Sequence, residues 1–224
     1  MDDRTRKEKL REEWEKLKQL SFKKKIEYIW NYYKIFIIGT VGIVFAISAI
    51  VQIIGDIQTV TELSVAYANS YAVQEVSEAL AQDFKEYGEF DGKKQEVVFD
   101  TSYFFRLEAP DEMTMSAQTK IMAVIASKSM DVMVMPEEVY QYYLPSGAFA
   151  RLEEVLAADL LEQTEAFWCM DKQEGDSDAK VYGLKLENNE KLKLFYGEEP
   201  VFIAVIGNSE HQDNAAKFIQ YLLP

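Results

Sequence analysis

Residues 130–135, MDVMVM, are apolar at nearly every position, the pattern of a strand buried on both faces of a parallel sheet rather than of one alternating between core and water. Pro136 then opens a short helix, PEEVYQYY, at the first-turn position that proline favours. Pro145 and Gly147 break it. On the other side, Thr114 to Ser127 reads as a helix with Met115, Met122, Ile125 and Ala126 facing inward. A buried strand between two helices is the unit from which the fold is read.

Upstream, Thr61 to Ala68, TELSVAYA, alternates Leu63, Val65 and Tyr67 as a strand. Asn69 and Ser70 follow as cap residues, and Val73, Val76, Leu80 and Phe84 share one face of a helix that Gly88 closes. Glu96 to Asp100, EVVFD, is a second strand. Downstream, Leu152 to Leu161 is expected to be helical, and Gly175 with its acidic neighbours marks a surface loop. Val181 to Leu186 and Leu192 to Tyr196 read as short strands and Val201 to Ile206 as a buried one. Ser209 and Gln212 are spaced as a capping box for a last helix that buries Ala215, Phe218, Ile219 and Leu222. Strands and helices that alternate in this way call for a three-layer α/β domain with a mainly parallel sheet.

The segment KIMAVIASKSMDVMVMPEEVYQYYLPSGAFARLEEVL resembles bacterial extracellular solute-binding proteins of the type 2 periplasmic-binding class. The likeness rests on the helix at Ile121 to Ser127, the strand at Met130 to Met135, the short helix, and the passage Gly147, Ala148, Phe149, Leu152, Leu156. The C-terminal EPVFIAVIGNSEHQDNAAKFIQYLL is similar to that family's closing strand and helix. Together these cover about half of the C-terminal region and carry no catalytic motif. In the family a second lobe is inserted after the Gly-Ala-Phe passage; here only the residues from Val155 to Tyr182 occupy that place. The resemblance therefore implies one lobe of a two-lobed clamp. Closure of two lobes is what buries a small ligand, so a single lobe implies weak capture of solutes, or a partner that supplies the missing wall.

Far from this region lies Ile35 to Ile54, IFIIGTVGIVFAISAIVQII, without a charge and with only Thr40, Ser48 and Gln52 polar. At about 1.5 Å per residue it reaches roughly 30 Å, the thickness of a bilayer's hydrocarbon core. It reads as one membrane span. The 34 residues before it carry eleven Lys and Arg against seven acidic residues, which keeps that flank cytoplasmic and puts the C-terminal region outside. Trp30, Tyr32 and Tyr33 suit the headgroup layer. A cleaved signal peptide, with Ala46, Ile47 and Ser48 as the cleavage site, is the rival reading, but the apolar run exceeds the usual length of about 7–15 residues. Leu10, Trp14, Leu17 and Leu20 recur at helical spacing, and after Ser21 so do Phe22, Ile26, Ile29, Trp30 and Tyr33. This suits an amphipathic cytoplasmic helix on the inner membrane surface, either a plain flank or a docking helix. The expected organisation is a basic head at 1–34, a span at 35–55, a tether at 56–60 and an extracellular α/β lobe at 61–224, in a single-pass protein of the cell membrane.

Outside the head and span the chain holds 13 basic and 31 acidic residues. Such a balance argues against nucleic acid, which needs a basic face. Cys169 is the only cysteine, so no internal disulfide forms and no lipid anchor attaches near the N-terminus. His211, the only histidine, has no partner at motif spacing and reads as a surface residue at a helix start. Asp171, Glu174, Asp176 and Asp178 miss the spacing of a calcium loop and read as a solvated turn. No phosphate-binding glycine loop and no zinc-ligand set appears, so no cofactor, metal or catalytic residue is expected.

What remains is surface. In open parallel sheets, ligands meet the carboxyl ends of the strands and the helix N-termini there. Those ends carry Asn69, Ser70 and Tyr71; Thr101, Ser102 and Tyr103; and Pro136 with Glu137, followed by Tyr140, Tyr142 and Tyr143. The favoured function is a membrane-tethered binding module that uses this rim for a ligand or a partner, whether another protein, a second copy or a weakly held solute. A structural component of a cell-envelope complex is the alternative. An extracellular enzyme is disfavoured for want of an acid–base set.

Overall fold

The computed structural model describes residues 22–57 and 59–223, together with Trp14. The stripe expected over residues 4–20 otherwise lies outside the described residues. The chain divides into two units, residues 1–58 and 59–224.

The first unit holds helix α1, Phe22–Ile57, unbroken for 36 residues. The basic, amphipathic stretch and the apolar one are thus a single rod. The expected turn between a surface helix and a span is absent because no proline interrupts the stretch, and Gly39 and Gly42 are tolerated within the ladder. Lys34–Gln52 is long and apolar enough to cross a membrane, with none of it buried by protein; a signal sequence would meet the same test. Thr40 turns its hydroxyl back to the Phe36 carbonyl at 2.9 Å, which satisfies its one polar group within the helix. Helix α1 runs to Ile57 and the first strand starts at Val60, both within the stretch expected as a tether.

The second unit runs β1 (Val60–Ala68), α2 (Gln74–Tyr87), β2 (Gln95–Tyr103), α3 (Glu112–Ala126), β3 (Val132–Met135), α4 (Glu137–Tyr143), α5 (Leu152–Val155), α6 (Ala158–Gln163), β4 (Trp168–Asp171), β5 (Lys180–Leu186), α7 (Lys193–Tyr196), β6 (Val201–Val205) and α8 (Gln212–Leu222). It is a mixed α/β unit around one six-stranded sheet in the order β2-β1-β3-β6-β5-β4. Period-two alternation in the central strands feeds two cores, because both faces are covered. Val132 and Val134 of β3 join Leu63, Val65, Tyr67, Ile203 and Val205 on the face that packs α2 and α8. Met133 and Met135 join Ala66, Ala68 and Ala204 on the face that packs α3 and α4.

The sheet is less parallel than expected. β2, β1 and β3 are parallel, with Val65 opposite Val132 and Tyr67 opposite Val134. β6, β5 and β4 each run antiparallel to their neighbours. A parallel return needs a crossover to the other end of the sheet, whereas the connections β4–β5 and β5–β6 re-enter at the end where the preceding strand stops. Three elements also differ from expectation. Leu192 to Tyr196 is a helical turn closed by Gly197 at φ 65, not a strand. β4 was not expected. Helix α3 buries Thr114, Ala117 and Ile121, while Met115 and Met122 face outward. Its small residues let the helix approach the sheet, and Asp111, which accepts a bond from the Thr114 amide at 2.9 Å, fixes the first turn and hence the face. The capping box at Ser209 is absent too, since α8 starts at Gln212 with His211 as its cap residue.

Candidate functional site

The carboxyl ends of β1, β2 and β3 meet at one side of the sheet. Asn69 follows β1 in the left-handed region, φ 54, where asparagine is tolerated. Its side chain ties the rim together. Oδ1 accepts from the Phe105 amide at 2.6 Å, and Nδ2 donates to the Phe105 carbonyl at 3.0 Å and to Glu138 at 3.1 Å. Both amide protons are therefore used, and Asn69 holds loops in place rather than waiting for a ligand. Ser70 is buried and accepts from the Ala72 amide at 3.1 Å. Tyr71 is 69% exposed; its amide donates to the Phe195 carbonyl at 2.8 Å, which pins its backbone while the ring stays in solvent.

The rest of the expected rim divides. Thr101 is half-buried and Ser102 exposed. Lys120 reaches both Asp100 and the Ser102 hydroxyl at 2.6 Å, and stands 4.3 Å from the centre of the Tyr103 ring. Tyr103 itself is buried, and burial followed by the neighbouring Asp100 charge raises its hydroxyl pKa well above the usual value. Glu137 is exposed at the start of α4. Tyr140 is wholly buried, with its ring between Phe149 and Phe202 at 5.6 and 5.0 Å and its hydroxyl donating to Asp171 at 3.0 Å. A Cβ on Gly183 would come within 2.9 Å of that ring, so the glycine makes room for it. Tyr103 and Tyr140 are thus core residues, because alternation along β2 and the inward face of α4 point them at the sheet. Of the tyrosines expected there, Tyr71 and Tyr142 remain exposed.

Other side chains supply the apolar rim. Val73 lies after β1, Phe104 after β2, Met113 in the first turn of α3, and Leu194 in α7 next to the carbonyl that holds Tyr71; all are exposed. A cleft of about 210 Å³ lies between Asn69, Phe104, Arg106, Asp111 and Met113, and one of about 350 Å³ between Ser102, Phe104, Met113, Ser116 and Lys120. These volumes sit at or below the small end of ligand pockets, roughly 300–1,000 Å³. For Val73 and Phe104 the signal in the sequence is an apolar side chain shortly past a strand end, where a polar loop residue is the ordinary choice; Met113 and Leu194 lie in helices and carry no such signal.

A second cluster lies at the opposite ends of β1 and β3. Asp131, 1% exposed, accepts from the Ser64 amide at 2.8 Å and the Ser209 hydroxyl at 2.6 Å, and His211 Nδ1 lies 3.2 Å away. His211 therefore has a partner that spacing along the chain did not reveal, 80 residues distant. In a serine triad the histidine stands between the hydroxyl and the acid. Here the carboxylate stands in the middle, so the Ser209 proton points at Asp131. The cluster fastens β1, β3 and the approach to α8.

In the acidic loop, Asp176 is enclosed by bonds from Tyr182 at 2.5 Å, the Gln173 amide at 2.9 Å and Arg151 at 3.0 Å. These bonds, led by that from Tyr182, hold its carboxyl below the usual range. Asp171 is taken by Tyr140. Cys169 is half-buried, and burial, with the Asp171 charge behind it, pushes its thiol up to about 12, far from a reactive thiolate. Among the described residues no group of three or more His, Cys, Asp or Glu side chains is arranged to hold a metal ion.

No family model and no curated protein matches the chain. Among solved structures, it is similar to an extracellular solute-binding protein family 1 chain from Alicyclobacillus acidocaldarius subsp. acidocaldarius DSM 446, at a TM-score of 0.34 and 16% identity. The similarity covers 58% of this chain and 28% of that one, so this chain spans well under half of its length. At that level the relationship is a distant one of fold alone.

Proposed function

We propose that the chain is a single-pass membrane protein whose unit from residue 59 onward faces the outside and binds a partner protein at its strand-end rim. The observation that carries this reading is the set of exposed apolar side chains, Tyr71, Val73, Phe104, Met113 and Leu194, on the loops and first turns at one side of the sheet. Apolar residues gathered on an otherwise charged surface are the mark of an interaction site. The small clefts there favour a protein surface over an enclosed solute, because a ligand left half in water forfeits apolar burial. Solutes are then held no tighter than about 0.1 mM. The apolar length of Lys34–Gln52 and the basic flank before it support the tether and its direction.

The test is a photo-crosslinking amino acid placed in the full chain at Tyr71 or Phe104, with Tyr87, exposed on α2, as the control. Covalent capture of one defined protein from the rim positions, reduced by a Leu194→Ser change, is the expected result. Micromolar affinity of the protein for a sugar, peptide or amino acid in calorimetry would overturn it in favour of solute capture. Crosslinks that arise only from positions in α1 would favour the envelope-assembly role.

A further inference from the structure

The sheet ends on one side at β2, a nine-residue strand whose outer side pairs with nothing among the described residues. Unpaired backbone along an edge is a template for another strand, and proteins that do not use it blunt it with short strands, proline or inward charges. Here the strand is long and free of both proline and lysine, and Lys120 of α3, beside its carboxyl end, is drawn off by Asp100 and Ser102. A groove of about 390 Å³ follows it, between Glu96–Ser102 of the strand and Gln74, Ser77, Glu78 and Ala81 of α2. Seven residues of strand span about 23 Å, room for an extended peptide of similar length.

We infer that the β2 edge receives an extended, basic segment of another protein, which adds as a further strand. Charge chooses the occupant. The groove's ionisable lining is Glu78, Glu96 and Asp100, with no basic residue among its walls. Lys120 answers Asp100 on the α3 face of β2, at 2.6 Å, which leaves Glu96 on that face and Glu78 on the α2 face to meet the incoming chain. A second copy of β2 paired antiparallel about Val98 would set Glu96 opposite Asp100, and like charges directly opposite destabilise a pair. An incoming strand with Lys or Arg at alternate positions instead gains main-chain bonds from the edge and ion pairs from the groove. This edge runs along the flank of the sheet and meets the rim cleft only at Ser102; its acidic lining differs from the apolar side chains of the rim.

The test uses the full chain in nanodiscs and three nine-residue probes: a peptide alternating Lys with Val and Thr, the same peptide with Glu for Lys, and the Lys peptide with a central Pro. The Lys peptide is expected to slow amide hydrogen exchange at alternate residues of 96–102. The Glu and Pro peptides should do so at least about tenfold less well. Glu78→Lys with Glu96→Lys should weaken the Lys peptide by about tenfold or more while the melting temperature stays put, since both side chains lie at the surface. Unchanged exchange with the Lys peptide, equal effects of the Glu peptide, or equal affinity in the Lys variant would each overturn the proposal. Protection that appears without peptide and grows with protein concentration would also overturn it, in favour of pairing between copies.

Discussion

The Tyr196 hydroxyl stands 2.8 Å from the carbonyl of Val134, and the same oxygen is 2.9 Å from the carbonyl of Ala68. One buried side chain thus fastens the carboxyl ends of two neighbouring parallel strands from beneath the rim. Tyr67, equally buried and with its ring tilted against Phe195 at 4.5 Å, has a hydroxyl with no hydrogen-bond partner. The two tyrosines should respond in opposite ways to loss of the hydroxyl. Tyr196→Phe leaves a donor position empty and should cost about 1–2 kcal/mol, whereas Tyr67→Phe removes an unpaired polar atom and should be neutral or stabilising by up to about 1 kcal/mol. Denaturant unfolding of both variants in the full chain measures the contrast. Equal losses would mean that the Tyr67 hydroxyl is satisfied after all.

Asp131→Ala strands the Ser64 amide and the Ser209 hydroxyl at once, and should destabilise by about 3 kcal/mol. Ser209→Ala removes one bond to a carboxylate that keeps its others, and should cost about half as much. Thermal melting reads both. A Ser209→Ala loss as large as that of Asp131→Ala would make the serine, not the acid, the centre of the cluster.

Acid should loosen the unit in a defined window. The Thr114 amide and hydroxyl, with Arg106 behind them, hold Asp111 below the usual carboxylate range, and the bonds to Asp176 do the same there. At Asp100 partial burial works the other way, but bonds from Lys120 and Ser102 outweigh it and the net shift is downward. With the folded pKa lower than the unfolded one, the unfolded chain takes up protons first as pH falls. The stabilisation is therefore complete at neutral pH and is lost from about pH 4 downward, through the lower folded values. Melting temperatures should hold from pH 7 to 5 and then drop, less steeply in Asp176→Asn. A flat profile to pH 3 would contradict the geometry of these bonds.

Topology is open to a direct measurement. Cysteines placed at Lys23 and at the exposed Glu174 should label oppositely with a membrane-impermeant maleimide on intact cells, Glu174→Cys alone reacting. Native Cys169 is expected to give little background, because it is half-buried and burial raises its thiol pKa. Labelling at both sites would overturn the proposed orientation, whereas a mature chain that begins near Ala49 would mean that the apolar helix is a cleaved leader.

The strands that the sequence made legible are those whose both faces are apolar. β3 and β6 sit mid-sheet and are buried at every residue, so no alternative placement competes for MDVMVM or VFIAVI. The long apolar helix was legible for the same reason, and α8 because Ala215, Phe218, Ile219 and Leu222 recur at helical spacing among polar residues. Strand direction was not, because it depends on which side of the sheet the chain re-enters, and a short apolar run such as Leu192–Tyr196 fits a turn of helix as well as a strand. The rim failed at Tyr103 and Tyr140 because an aromatic ring carries the same letter in a core as on a surface. At α3, methionines outweighed Thr114 and Ala117 on any hydrophobicity scale, yet the smaller residues allow the close approach.

The outward turn of α3 has a chemical consequence. Met113, Met115 and Met122 are 62, 58 and 70% exposed, while Met130, Met133 and Met135 in and beside β3 are 0–1% exposed. Oxidants convert accessible methionine to the polar sulfoxide, a change that reductases reverse and that a surface tolerates where a packed interior does not. Peroxide should therefore convert Met113, Met115 and Met122 well before the three methionines packed in and beside β3, so that mild oxidation alters the surface of α3 and the Met113 side of the rim while the sheet stays intact.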